Sequence, residues 1–111
     1  MDALLPNSDL IRASDLYGKY KNVREKTVCL YGDVCVQYYL LKGSSRENGE
    51  DVFSILCTET ESGTVIDSEF VFDISTKRAD AEHIFAVLCR NTVTPCCLYE
   101  VLDGILYDMM K

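Results

Sequence analysis

The stretch VIDSEFVFDISTKRADAEHIFAVLC, Val65–Cys89, changes its apolar period partway along, and that change decides the fold. Up to Ile74 the residues alternate. Ile66, Phe70, Phe72 and Ile74 fall on one side and Asp67, Glu69 and Asp73 on the other, as in a strand with one buried and one solvated face. After Ser75 and Thr76, either of which can cap a helix, Ala81, Ile84, Phe85 and Leu88 recur at helical spacing. The helix so predicted runs to about Asn91.

Toward the N-terminus, residues 25–42 form two β-rich runs around Gly32-Asp33, a dipeptide that favours a type II′ hairpin. Counting from that turn pairs Tyr31 with Val34, Leu30 with Cys35 and Cys29 with Val36. Cys29 and Cys35 then point to opposite faces and are not expected to bridge. Gly43–Asp51 is a polar connector with an Asn48-Gly49 turn signal and no phosphate-cradling Lys-Ser/Thr ending. Residues 52–61 give a third strand with Phe53, Ile55 and Cys57 on its apolar side, and Ser62-Gly63 turns it into the fourth.

Toward the C-terminus, Thr94 is placed to cap a second helix with Pro95 at its first position. Leu98, Val101, Leu102, Ile105, Leu106 and Met109 form its stripe. The order β-β-β-β-α-α predicts an α+β fold: a four-stranded antiparallel meander with two C-terminal helices packed on one face. Residues 25–111 are read as this single domain, and residues 1–24 as a mobile segment with at most one short helix around Asp9 to Tyr17.

The whole chain is 111 residues with 11 Lys and Arg against 18 Asp and Glu, a formal charge of -7. That sign opposes phosphate-backbone binding, so nucleic acid is not an expected partner. Residues 1–24 carry Arg12, Lys19, Lys21 and Arg24 against three Asp, so a faintly basic arm precedes an acidic body. No basic-then-apolar leader opens the chain and no run is long enough to cross a bilayer, so a cytoplasmic location away from membranes is expected. In a reducing compartment the six cysteines are expected as thiols.

Chemistry is sparse. Cys96-Cys97, read as lying just inside the second helix, is the weak catalytic candidate, because a helix N-terminus stabilises a thiolate. No Cys-x-x-Cys occurs, and the single histidine, His83, falls outward on the first helix beside Arg90, so neither a metal centre nor a Cys-His pair is predicted. Asp67 and Glu69 sit about 7 Å apart along their strand, but no second wall is predicted opposite them. The second helix turns Tyr99, Glu100, Asp103 and Tyr107 outward beside Gly104, a helix-interior glycine that costs about 1 kcal/mol. Close approach of a partner accounts for that glycine, and open sheet edges offer a second route to association.

The segments YYLL, FVFDISTKRADAEHIFAVL and NTVTPCCLYEVLDGIL together resemble a family of short Gram-positive bacterial proteins described only as a domain of unknown function. The resemblance covers roughly residues 25–106 and implies a bacterial cytoplasmic origin with no assigned activity, cofactor or catalytic residue. The reading is therefore a non-enzymatic interaction or regulatory domain, expected to pair with a protein partner or with itself as a homodimer, and needing no cofactor. The alternatives are a thiol-dependent protein using Cys96 or Cys97, and a small-ligand binder between sheet and helices.

Overall fold

The structure, a computed structural model, describes residues 20–44 and 49–110. Strands β1 (Lys21–Tyr31), β2 (Val34–Ser44), β3 (Asp51–Glu61) and β4 (Thr64–Ser75) are followed by α1 (Arg78–Arg90), a short 3-10 turn (Pro95–Cys97) and α2 (Leu98–Met109). The strands form one antiparallel sheet in the order β1-β2-β3-β4, as the periodicity predicted. β1 starts at Lys21, four residues ahead of the predicted strand. The short helix expected around Asp9 to Tyr17, and the polar connector's residues 45–48, lie outside the described residues.

The helical layer packs as the sequence required. Ala81, Ile84, Phe85 and Leu88 of α1 and Leu98 and Leu102 of α2 are buried against Val36, Tyr38, Leu40, Phe53, Ile55 and Cys57 of the central strands. The caps differ from expectation. Lys77 occupies the N-cap of α1 without a side-chain bond, because Ser75 Oγ instead closes a local turn by accepting from the Lys77 N–H at 3.0 Å. Thr94 caps the 3-10 turn rather than α2, also without a side-chain cap bond.

Bulges account for the larger departures. One extra residue, Leu30, separates the paired Cys29 and Tyr31, so Cys29 lies opposite Cys35 rather than Val36. The two sulfurs join in a disulfide with Cα atoms 4.0 Å apart, which corrects the expectation that this pair would not bridge and that all six cysteines are thiols. In β4, one extra residue at Ile66 resets the alternation, and two more around Asp73, whose φ is +53°, bulge the strand without changing its phase. Directly paired residues share a face, so Glu69 opposite Cys57 and Val71 opposite Ile55 turn toward the helices, while Phe70 opposite Leu56 turns away. Of the four residues predicted inward, Ile74 packs on the core, whereas Ile66 and Phe72 are exposed.

The face away from the helices is therefore not a wet one. Leu41, Val52, Ser54, Leu56, Thr58 and Thr60 are all buried there. Ser54 Oγ accepts the Asp73 N–H at 2.9 Å, tying the β4 bulge to β3. Tyr20 lies across Gly43, where an added Cβ would meet the ring at 2.9 Å, and packs edge-on against Phe70 with centroids 5.6 Å apart. Phe70 and Phe72 lie 4.2 Å apart beside it.

The helix layer is locked to the sheet at one carbonyl. Beyond the C-cap Asn91, Thr92 takes a left-handed φ of +52°. Its N–H donates to the Cys89 carbonyl at 3.2 Å, and the Val93 N–H reaches back to the Leu88 carbonyl at 3.2 Å. These are the two bonds of a Schellman motif with threonine in the usual glycine position. The Val93 carbonyl, turned toward the sheet, accepts the Tyr38 hydroxyl at 2.7 Å and the Cys57 thiol at 3.6 Å. Burial raises the Tyr38 hydroxyl well above its ordinary value, and the Cys57 and Cys89 thiols add to the effect. Burial pushes the Cys57 thiol up to about 12.

Two outcomes follow from this lock. Tyr38→Phe leaves the Val93 carbonyl with a weak thiol donor alone, and is expected to cost about 1–3 kcal/mol in denaturant unfolding with an unchanged slope. The second concerns pH. Well below pH 9.0, the ordinary thiol value, folded and unfolded chains both keep the Cys57 proton. Above it the unfolded chain loses that proton first, so stability falls as pH rises from 9.0 to about 12. Cys57→Val is expected to flatten this alkaline slope by about one proton, read from guanidinium unfolding at stepped pH. An unchanged slope would show that the Cys57 proton does not contribute.

Candidate functional site

Pro95 lacks a backbone N–H and has a fixed φ, which suits it to open the 3-10 turn, and it is fully buried. The Cys97 N–H closes the turn on the Thr94 carbonyl at 3.0 Å. Cys96 and Cys97 consequently precede α2 instead of lying inside it, with Cys97 at its N-cap position. Both are exposed, their sulfurs lie 3.8 Å apart, and Thr94 Oγ1 lies 3.4 Å from Cys96 Sγ. His83 is exposed on α1 and borders a surface cleft of about 250 Å³ with Val87, Ile105, Asp108 and Met109, which includes neither cysteine. Among the described residues no group of three or more His, Cys, Asp or Glu side chains could hold a metal ion.

The predicted contact residues Tyr99, Glu100, Asp103 and Tyr107 are all exposed on α2, Tyr99 at 53% and Tyr107 at 64%. Gly104 has nothing within 4 Å of an added Cβ, so no described neighbour requires a glycine there. Tyr99 engages Glu69 of β4. Burial and then the Glu69 carboxylate raise the Tyr99 hydroxyl above its ordinary value. Glu69, predicted on a solvated face as half of a carboxylate pair with Asp67, is thus a neighbour of α2. The bulge at Ile66 places it there.

A further site was not anticipated. Arg24 and Lys26 alternate on β1 opposite Leu40 and Tyr38, so both point to the helix side of the sheet. There they meet α1 in a cleft of about 540 Å³ floored by Phe85, Ala86 and Cys89 and flanked by Glu82 and Arg90. Glu82 accepts from Arg78 Nε at 2.7 Å and Arg24 Nε at 2.9 Å, and these two bonds lower its carboxyl below the ordinary range. Burial raises the Cys89 thiol, and Lys26 opposes that rise. The local signal is the Arg-x-Lys alternation at 24–26, but a strand that starts at Glu25 leaves Arg24 in the arm ahead of the domain. Arg90 joins only through the tertiary fold.

A further cleft, of about 510 Å³, lies between the end of β4 and both helices and is lined mainly by Ile74, Ile84, Leu106, Met109 and Met110. No helix among the described residues is long and apolar enough to cross a membrane.

No curated protein and no solved structure matches the chain. A family model does, over residues 19–108, which takes in all four strands and nearly all of both helices and starts just ahead of β1. The chain therefore belongs to the family of unknown function DUF6514.

Proposed function

We infer that this protein is a self-associating interaction domain in which the acidic outer face of α2 on one copy docks against the basic β1–α1 cleft of another. The observation that carries this reading is the segregation of charge. Arg24, Lys26 and Arg90 gather around an apolar floor in a chain whose net charge is -7. No Lys or Arg occurs from Cys96 to Asp108, where Glu100 and Asp103 stand exposed beside Tyr99. Tyrosine and arginine are the residue types that most often anchor interfaces, and here they sit on opposite partners of the contact. β1 is the terminal strand of the sheet, so the cleft runs along an edge with no further strand among the described residues. Unlike surfaces meet in such a contact, so it closes as a two-fold dimer when both copies engage reciprocally and otherwise extends head to tail.

Arg24→Glu with Arg90→Glu is expected to weaken self-association at least about tenfold in sedimentation velocity, and so is Glu100→Lys with Asp103→Lys. Each variant keeps one intact surface, so an equimolar mixture of the two should recover association with half the contacts. High salt should weaken the parent assembly. A parent chain that stays monomeric at high concentration and low salt would overturn this reading, and so would a mixture that recovers nothing.

A further inference from the structure

The described cysteines divide into three groups. Cys57 and Cys89 are buried, and burial holds both thiols above their ordinary value, so they act as protonated packing groups. Cys29 and Cys35 satisfy each other across the first hairpin. Cys96 and Cys97 differ from both groups: they are exposed, with their sulfurs 3.8 Å apart. They stand on a turn held at one end by buried Pro95 and at the other by buried Leu98.

Two chemistries compete for such a pair, and geometry separates them. Closing the pair to a disulfide is disfavoured, because adjacent cysteines would close a small ring through the intervening peptide, whose Cα atoms stand about 3.8 Å apart, shorter than the 4.0 Å of Cys29–Cys35 and below the roughly 4.4–6.8 Å usual for disulfides. Oxidation here would be strained and readily reversed. Bridging a single cation meets no such obstacle. Metal–sulfur bonds of about 2.3 Å place two sulfurs about 3.8 Å apart on a tetrahedron and about 4.0 Å apart on a triangle. The observed separation lies at that spacing without rearrangement.

The number of donors selects the cation. No third His, Cys, Asp or Glu joins the pair among the described residues. A structural zinc site needs four protein ligands, and calcium or magnesium needs six or more oxygens. Thiolates select soft cations, of which Cu+ is the monovalent case. We propose that Cys96 and Cys97 form a two-sulfur binding site for a soft monovalent cation of the Cu+ class, with a further coordination position open to solvent. On binding, the two thiols release two protons and two metal–sulfur bonds form, with no change in the oxidation state of metal or sulfur. The proposal rests on sulfur spacing and is independent of the charge segregation behind self-association.

The test is anaerobic titration of the full chain with Cu+ against a chromophoric Cu+ chelator. The parent and Cys29→Ser/Cys35→Ser should each bind one Cu+. Cys96→Ser and Cys97→Ser, each alone, should weaken binding at least about 100-fold through loss of the chelate. Bound Cu+ should also shield Cys96 and Cys97 from iodoacetamide in peptide mapping of the parent, a readout that needs no variant. Far-UV circular dichroism checks that the serine variants keep the fold. Failure of the parent to bind, undiminished affinity in Cys97→Ser, or equal labelling of both sulfurs with and without Cu+ would each overturn the site.

Discussion

The Val93 carbonyl is the point on which the arrangement depends. It accepts from Tyr38 on β2 and Cys57 on β3, and it is available because the left-handed Thr92 ends α1 and turns the chain back toward the sheet. A buried hydrogen bond contributes about 1 kcal/mol net, whereas a buried carbonyl left without a donor costs about 1–3 kcal/mol. The lock therefore selects one docking of the helix layer more than it adds stability. Everything downstream inherits that docking. Thr94, Pro95 and the cysteine pair follow within four residues, and Leu98 then starts α2 against the core.

A sheet buried on both faces explains where polar chemistry can reside. β2 and β3 carry buried residues on both sides, with Val36, Tyr38 and Ile55 toward the helices and Leu41, Leu56 and Thr58 away from them. The polar side chains within these strands turn to one another: Thr58 Oγ1 and the Tyr39 hydroxyl both donate to Gln37 Oε1, each at 3.2 Å. Charge is left to the ends of these strands, as in the Lys42–Asp51 pair, and to the edges of the sheet. β1 places Arg24 and Lys26 beside α1, and β4 places Glu69 beside Tyr99, so the two ends of the sheet present opposite signs to the helix layer.

The parts of this fold that follow a local period were legible in the sequence. The two hairpin turns, the buried stripe Ala81, Ile84, Phe85 and Leu88, and the element order all follow from spacing between near neighbours. What was illegible has a common cause. A bulge adds residues without a compositional mark, and Leu30, Ile66 and Asp73 are not glycines that would betray one. Leu30 and Ile66, each a single extra residue, invert the phase beyond them, which is why Cys29 meets Cys35 and why Glu69 meets a helix, whereas the two residues added around Asp73 keep it. Of the β4 residues predicted for a single core, Ile74 packs there, Ile66 is exposed, and Phe70 and Phe72 belong with Tyr20 on the opposite face. The basic cleft was hidden for another reason. Arg24 and Arg90 come from opposite ends of the domain, and no short-range pattern links them.

Rigidity joins the two surface proposals to the core. A thiol pair on a loose loop would lose conformational entropy on chelation, and an acidic helix that could rotate would present no fixed face. Here buried Pro95, the Val93 lock and buried Leu98 hold the short turn from both sides, so the sulfurs and the face of α2 are oriented before any ligand arrives. The cost of that order is met during folding, by apolar burial along α1 and α2, and is not charged against binding. A chain with an overall charge of -7 can then bring unlike patches together, because fixed local geometry lets short-range complementarity outweigh a long-range repulsion that salt screens within about 10 Å.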